Sequence, residues 1–172
     1  MSGAGLVVCP SMAEERTEDS GLEVITGSHL FKSLDEEGRA RLMKGAASVH
    51  FDANQVVVRE GDPGEALYLI RQGVVDVHTL RDGERIHLAT LGPGACFGEV
   101  ALLSGRPRTA TVVAREDCTL LCFYRNQIEE ILVAYPKVRK LLESVVLGRA
   151  RATIEKITRP MQPVRGRDEE PR

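Results

Sequence analysis

Polar and apolar positions change their period twice along the chain, and the changes divide it into three regions. Between Ala47 and Tyr124, short alternating runs such as Val75/Val77, Ile86/Leu88 and Leu120/Cys122 are separated by turn clusters. The clusters are Asp62-Pro63-Gly64, Gln72-Gly73, Asp82-Gly83, Gly92-Pro93-Gly94 and Gly105-Arg106-Pro107, about ten residues apart. Period-two runs between evenly spaced turns predict an all-β sandwich or roll. Asp82-Gly83 between two runs is a strong hairpin signal. Asn54 stands where a glycine is expected between the first two strands, and asparagine also tolerates the left-handed conformation.

After Arg125 the period becomes helical. Ile128, Ile131, Leu132, Val138, Leu141, Leu142 and Val145 recur at steps of three and four. Pro136 divides the run into two helices, because the residue before a proline is pushed out of the helical region. The second helix continues through Leu147, Ala150, Ile154 and Ile157 until Arg159-Pro160 stops it. Upstream, Leu30, Phe31, Leu34, Leu42 and Met43 fit a short helical pair. Asp35-Glu36-Glu37 opens its second member, where acids suit the helix dipole. Residues 1–27 are acidic and aperiodic, and residues 159–172 are rich in Pro, Arg and Glu. Both read as disordered tails around an ordered domain of residues 28–158, with strands over 47–124 and lid helices over 126–158.

Composition narrows the function. A net charge of −2 over 172 residues does not suit a broad nucleic-acid or anionic-membrane surface. No segment approaches the roughly 20 apolar residues of a membrane span, and Gly5-Leu6-Val7-Val8-Cys9-Pro10 is too short for a signal peptide. The chain reads as soluble and cytoplasmic. Cys9, Cys96, Cys118 and Cys122 show no paired spacing; Cys96, Cys118 and Cys122 read as buried free thiols, and Cys9 falls in the N-terminal tail. His29, His50, His78 and His87 are dispersed, which argues against a metal site of the kind held in all-β enzymes. Triad, Walker and dinucleotide signatures are missing, so the chain reads as no enzyme, with no cofactor.

The candidate chemistry lies in Phe97-Gly98-Glu99-Val100-Ala101-Leu102-Leu103-Ser104-Gly105-Arg106-Pro107-Arg108-Thr109-Ala110-Thr111. It reads as a strand ending in a glycine, one helical turn, a Gly/Pro loop, and a strand opening with Arg108. A helix start aims free N–H groups at an anion, and Arg108 brings a planar fork of donors from the other side. Glu99 supplies an acceptor at the same edge. A cationic centre beside one carboxylate suits a phosphate joined to a ribose.

This run closely resembles the phosphate-binding cassette of cyclic nucleotide-binding domains, as in the catabolite activator protein, the regulatory subunits of cAMP-dependent protein kinase, and cyclic-nucleotide-gated channels. The resemblance extends upstream through Arg59-Glu60-Gly61-Asp62-Pro63-Gly64-Glu65-Ala66-Leu67-Tyr68-Leu69-Ile70, Gly73 and Leu91-Gly92-Pro93-Gly94, and covers roughly residues 28–158. It implies a mainly β fold: an eight-stranded antiparallel β-roll with N-terminal helices and C-terminal lid helices.

The resemblance also implies a ligand and roles for individual residues. Arg108, set by Pro107, is the phosphate counter-ion; Glu99 accepts from the ribose 2′-hydroxyl; Gly98 admits the backbone closely. Amides around Ala101, Leu102 and Thr109 complete a cradle that also includes Phe97, Val100 and Ala110. Thr109 is typical of cGMP-binding and mixed sites, since guanine's 2-amino group can donate to its hydroxyl. Thr153, near the end of the long helix, matches a threonine that contacts the adenine amino group in the catabolite activator family, while Ile154 departs from the polar residue that follows it. The ligand is therefore cAMP or cGMP, with cAMP favoured. An interaction module that has lost its ligand and a cyclic dinucleotide site remain as alternatives; the complete Glu99, Pro107 and Arg108 set argues against the first.

The expected output is control of an effector protein by repositioned C-terminal helices. Surplus apolar residues over 137–158 suggest a homodimer there. DNA binding is not expected, because residues 159–172 cannot form a helix-turn-helix.

Overall fold

The computed structural model describes residues 18–158. In chain order these form α1 (Glu18–Gly27), α2 (Glu36–Lys44), β1 (Ala47–Phe51), β2 (Val56–Val58), β3 (Ala66–Gln72), β4 (Val75–Arg81) and β5 (Glu84–Leu91). There follow β6 (Cys96–Phe97), α3 (Glu99–Ser104), β7 (Thr111–Ala114), β8 (Cys118–Tyr124), α4 (Arg125–Ala134) and α5 (Pro136–Thr158). The eight strands make two four-stranded antiparallel sheets, ordered β1-β8-β3-β6 and β2-β7-β4-β5. This is a β-roll flanked by helices, and the sheets do not join into a closed barrel.

Turn chemistry sets the strand order. Asp82 and Gly83 both take positive φ, 52° and 81°, and join β4 to β5 with Arg81 opposite Glu84. Two left-handed residues twist the hairpin in the sense of its strands. Asn54 adopts φ 69° in the β1–β2 turn, and its N–H donates to Ala114 O at 2.7 Å.

Strand β8, one of the two inner strands of its sheet, is buried on both faces. Cys118, Leu120 and Cys122 face the roll interior with Val49, Ile70, Val75 and Val112, whereas Leu121 and Phe123 face the helices. The helical side packs Ile25, Phe31, Leu34, Leu42, Ile128, Leu132, Val138 and Leu142 into one cluster. Phe31 meets Phe123 edge-on at 5.8 Å between ring centroids. Tyr135 Oη donates to Asp35 Oδ1 at 2.6 Å, which fastens the α4–α5 joint to the cap of α2.

Three expectations change. Residues 18–27 form helix α1 rather than part of a disordered tail; Gly21 and Ile25, with Ser28 just past the helix, are buried on one stripe at i, i+4 and i+7. The helix packs closely at Gly21, where a Cβ would meet the flexible end of Met43, Cε at 2.6 Å. Leu30, Phe31 and Leu34 lie in a tight turn rather than a first helix, held by Lys32 N–H to Ser28 O at 2.9 Å. Finally, β7 begins at Thr111, so Arg108 belongs to the loop before it. The expectations for residues 1–17 and 159–172, with Cys9, lie outside the described residues.

Candidate nucleotide-binding cavity

Arg108 is only 6% exposed, and the loop that seats it comes from far upstream. Its N–H donates to Asp62 O and its carbonyl accepts from Gly61 N–H, each at 2.8 Å. The Arg59–Gly64 segment therefore clamps the backbone on which Arg108 stands. The side chain then turns inward. Nη2 donates to Ala66 O at 2.9 Å, Nη1 donates to Gly98 O at 3.2 Å, and the guanidinium carbon lies 5.8 Å from the centre of the Tyr68 ring. Tyr68 is itself stacked on Phe97 at 5.1 Å.

These partners are carbonyls and an aromatic face; among the described residues no carboxylate lies within ion-pair distance of Arg108. Burial pushes its pKa below the ordinary arginine value, with the charges of Tyr68, Cys122 and Glu99 opposing that shift. A buried guanidinium still carries its charge, so its cost favours an anion brought into contact with it.

Gly98 makes the close approach possible. It caps α3 at φ 90°, and a Cβ there would collide with Arg108 Nη1 and stand 2.8 Å from Ala66 O. Only glycine fits this position, on both backbone and steric grounds. Leu102 N–H donates to Gly98 O at 3.3 Å, so it is the first satisfied amide of α3. The amides of Glu99, Val100 and Ala101 precede it and have no acceptor within the helix.

Glu99 is 2% exposed. Its Oε1 accepts from Arg149 Nη1 at 2.6 Å, while Oε2 is buried without a hydrogen-bond partner among the described residues. Arg149 also donates through Nη2 to Cys96 O at 2.6 Å. One guanidinium on α5 thus bridges the strand and the helix that flank Gly98. Burial pushes the Cys96 thiol up to about 12, so it stays protonated and unreactive. Two turns further along α5, Lys156 Nζ donates to Leu88 O on β5 and holds the helix against the roll.

Between these parts lies a cavity of about 360 Å³, within the range of small-molecule sites. Its walls on the roll are apolar, from Val58, Val77, Leu88, Ala89 and Leu91, and α3 and α5 close it. The polar groups gather at the α3 end. Of the residues expected from the sequence, Phe97, Gly98, Glu99, Val100, Ala101, Arg108, Thr109, Ala110 and Thr153 line it.

Leu102 and Pro107 do not line it. The Leu102 side chain enters the helical core, and its amide is taken up by Gly98 O. Pro107 is exposed on the outer loop, where its fixed φ restrains the entry to Arg108. Sequence reasoning missed Arg149 as a site residue. The signal was its spacing of four from Thr153, which places both on one face of α5.

Among the described residues there is no group of three or more His, Cys, Asp or Glu that could hold a metal, and no helix long and apolar enough to cross a membrane. A buried cation, a half-paired carboxylate and apolar walls equip the cavity to bind a small anionic ligand bearing a hydroxyl and a flat apolar part.

Residues 48–135, about half of the chain, match the family model for the cyclic nucleotide-binding domain, and the chain belongs to that family. It is similar to cyclic nucleotide-gated channel beta-3 of Canis lupus familiaris, at 36% identity over 84% of this chain and 19% of the channel. It is also similar to the cAMP-dependent protein kinase regulatory subunit of Eremothecium gossypii, at 32% identity over 77% of this chain and 29% of that one. The chain therefore spans less than a third of either relative. Among solved structures, the regulatory domain of Toxoplasma gondii PKA with cAMP superposes with a TM-score of 0.65 at 33% identity, over 70% of this chain and 46% of that one. The family occurs in regulatory subunits and channels as a sensor of cyclic nucleotides.

Proposed function

We propose that the chain binds a purine cyclic nucleotide in the cavity between the roll and α5, as a non-catalytic sensor that controls a partner protein through its C-terminal helices. The observation that carries this reading is the buried Arg108 guanidinium, held by two carbonyls and the Tyr68 ring with no carboxylate partner, beside the unpartnered Oε2 of Glu99. A cyclic phosphate supplies the missing anion and a ribose 2′-hydroxyl supplies the missing donor. The first amides of α3 complete the phosphate cradle, and the apolar wall receives the purine. The PKA regulatory domain with cAMP, among the similar structures, supports the same ligand class.

The base is read by few groups. Thr109 at the cassette and Thr153 on α5 both border the cavity, and a hydroxyl either donates or accepts. One such bond is worth about 0.5–1.5 kcal/mol, so the two nucleotides differ by no more than about tenfold, with cAMP favoured as in the similar domain bound to cAMP.

The same contacts give a route to the helices. A ribose hydroxyl on Glu99 joins the carboxylate already held by Arg149, so occupancy changes the partner of α5 directly. Ligand can shift α5 only through such a difference between two states. Calorimetric titration with cAMP, cGMP and cyclic di-GMP, side by side, tests the reading. The first two are expected to bind, cAMP more tightly. Cyclic di-GMP binding alone would reassign the cavity, and no heat with any of them would leave a fold used only for protein contacts.

A further inference from the structure

Arg125, the first residue of α4, reaches three separate acceptors with one guanidinium. Nε donates to Glu65 Oε2 at 3.0 Å, Nη2 to Gly64 O at 2.9 Å and Nη1 to Leu102 O at 2.6 Å. Its backbone N–H adds a bond to Glu65 O at 2.9 Å. None of these residues lines the cavity, but Gly64 packs against Ala101, which does, and Leu102 follows Ala101 in α3.

Gly64 and Glu65 immediately precede Ala66, whose carbonyl accepts from Arg108 Nη2 at 2.9 Å. Gly64 is buried against the cassette: a Cβ there would collide with the Cβ of Ala101 and come within 3.5 Å of Arg108 Cδ. The third acceptor, Leu102 O, lies near the C-terminal end of α3, where helix carbonyls lack an N–H donor within the helix. Arg125 therefore fixes both walls that meet at the anion site: the segment that seats Arg108 and the short helix that presents Glu99.

We propose that Arg125 is a positioning residue for phosphate capture. It touches no ligand; it sets the spacing between Ala66 O and α3 at which Arg108 and the first amides of α3 close on one phosphate. Lysine, with its donors on a single atom, cannot serve three acceptors lying in different directions. The inference rests on the cavity being a cyclic nucleotide site, and it adds a selective consequence. Loss of Arg125 is felt at the phosphate. The purine wall, formed by β4, β5 and α5, is built without it.

The test compares cAMP with adenosine, which keeps the base and ribose and lacks the phosphate. The parent chain, Arg125→Gln and Arg125→Lys are titrated with cAMP by calorimetry and with millimolar adenosine by NMR, and urea melts establish that each is folded. Arg125→Gln is expected to weaken cAMP about tenfold or more, the worth of one misaligned charge-assisted hydrogen bond, and to leave adenosine within twofold. Arg125→Lys should recover only part of the loss. If the glutamine variant fails to fold, the lysine variant decides by the same affinity ratio. An unchanged cAMP-to-adenosine ratio, including an equal loss for both ligands, overturns the proposal and leaves Arg125 a structural residue. A parent chain that binds neither ligand contradicts the cavity assignment instead.

Discussion

Arg149 on the lid helix and Glu99 in the cassette, fifty residues apart, share a hydrogen bond of 2.6 Å in which the carboxylate is almost fully buried. The pair places the long helix over the cavity through a group that the ligand itself is expected to touch. Arg149→Ala leaves Glu99 a buried carboxylate without its cation. The expected loss of stability is about 1–3 kcal/mol, below the range for a fully buried pair because Arg149 keeps a third of its surface in water. Hydrogen exchange over 145–158 should rise in the same variant. Unchanged exchange there would show that the pair does not hold α5.

Thr109 borders the cavity from an exposed position, beside Arg108. Replacing it with alanine should lower cGMP affinity a few-fold to about tenfold, the range of one hydrogen bond, and leave cAMP nearly unchanged. Competition titrations with both nucleotides measure this. Equal losses would mean that Thr109 does not read the base.

His78 predicts a pH dependence. Burial pushes its pKa below the ordinary value, Arg85 adds to the effect, and Glu60 and Asp76 oppose it. The folded state therefore prefers the neutral ring. As pH falls below about 6.5 the unfolded chain takes up a proton first, so this contribution to stability is lost until the folded ring also protonates. Urea denaturation between pH 7.5 and 5 should show a shallower decline for His78→Gln than for the parent. Parallel declines would remove His78 from the account.

The turns and periods of this chain were legible because single residues carry them. Asp82-Gly83 and Asn54 take the left-handed conformations their types allow, and the helix break falls at Pro136. The cassette was legible as an ordered motif. What it lacked was geometry: in a helix that begins at Glu99 the fourth amide is already satisfied, which removes Leu102 from the cradle. Arg149 and Arg125 were hidden for a different reason. A charged residue on a helix shows its face by spacing, but its partner fifty or sixty residues away leaves no mark on the local pattern. Helix α1 was masked by acidic composition, although its buried stripe was present in the spacing of Gly21, Ile25 and Ser28.

Leu147 on α5 remains 61% exposed and does not line the cavity. We propose that this exposed residue takes part in a two-fold contact along residues 137–158. Light scattering at tens of micromolar should give twice the 18.9 kDa chain mass, and Leu147→Glu should return it to one. A monomer with and without nucleotide would count against the dimer.

The central claim is that Arg108 binds the phosphate of a cyclic nucleotide, and calorimetry of the parent and Arg108→Ala with cAMP tests it most directly. Truncating one half of a buried charge pair costs about 2–5 kcal/mol. The account therefore predicts a parent that binds and a variant weakened roughly 30- to 5,000-fold. A variant that binds cAMP within threefold of the parent would contradict it.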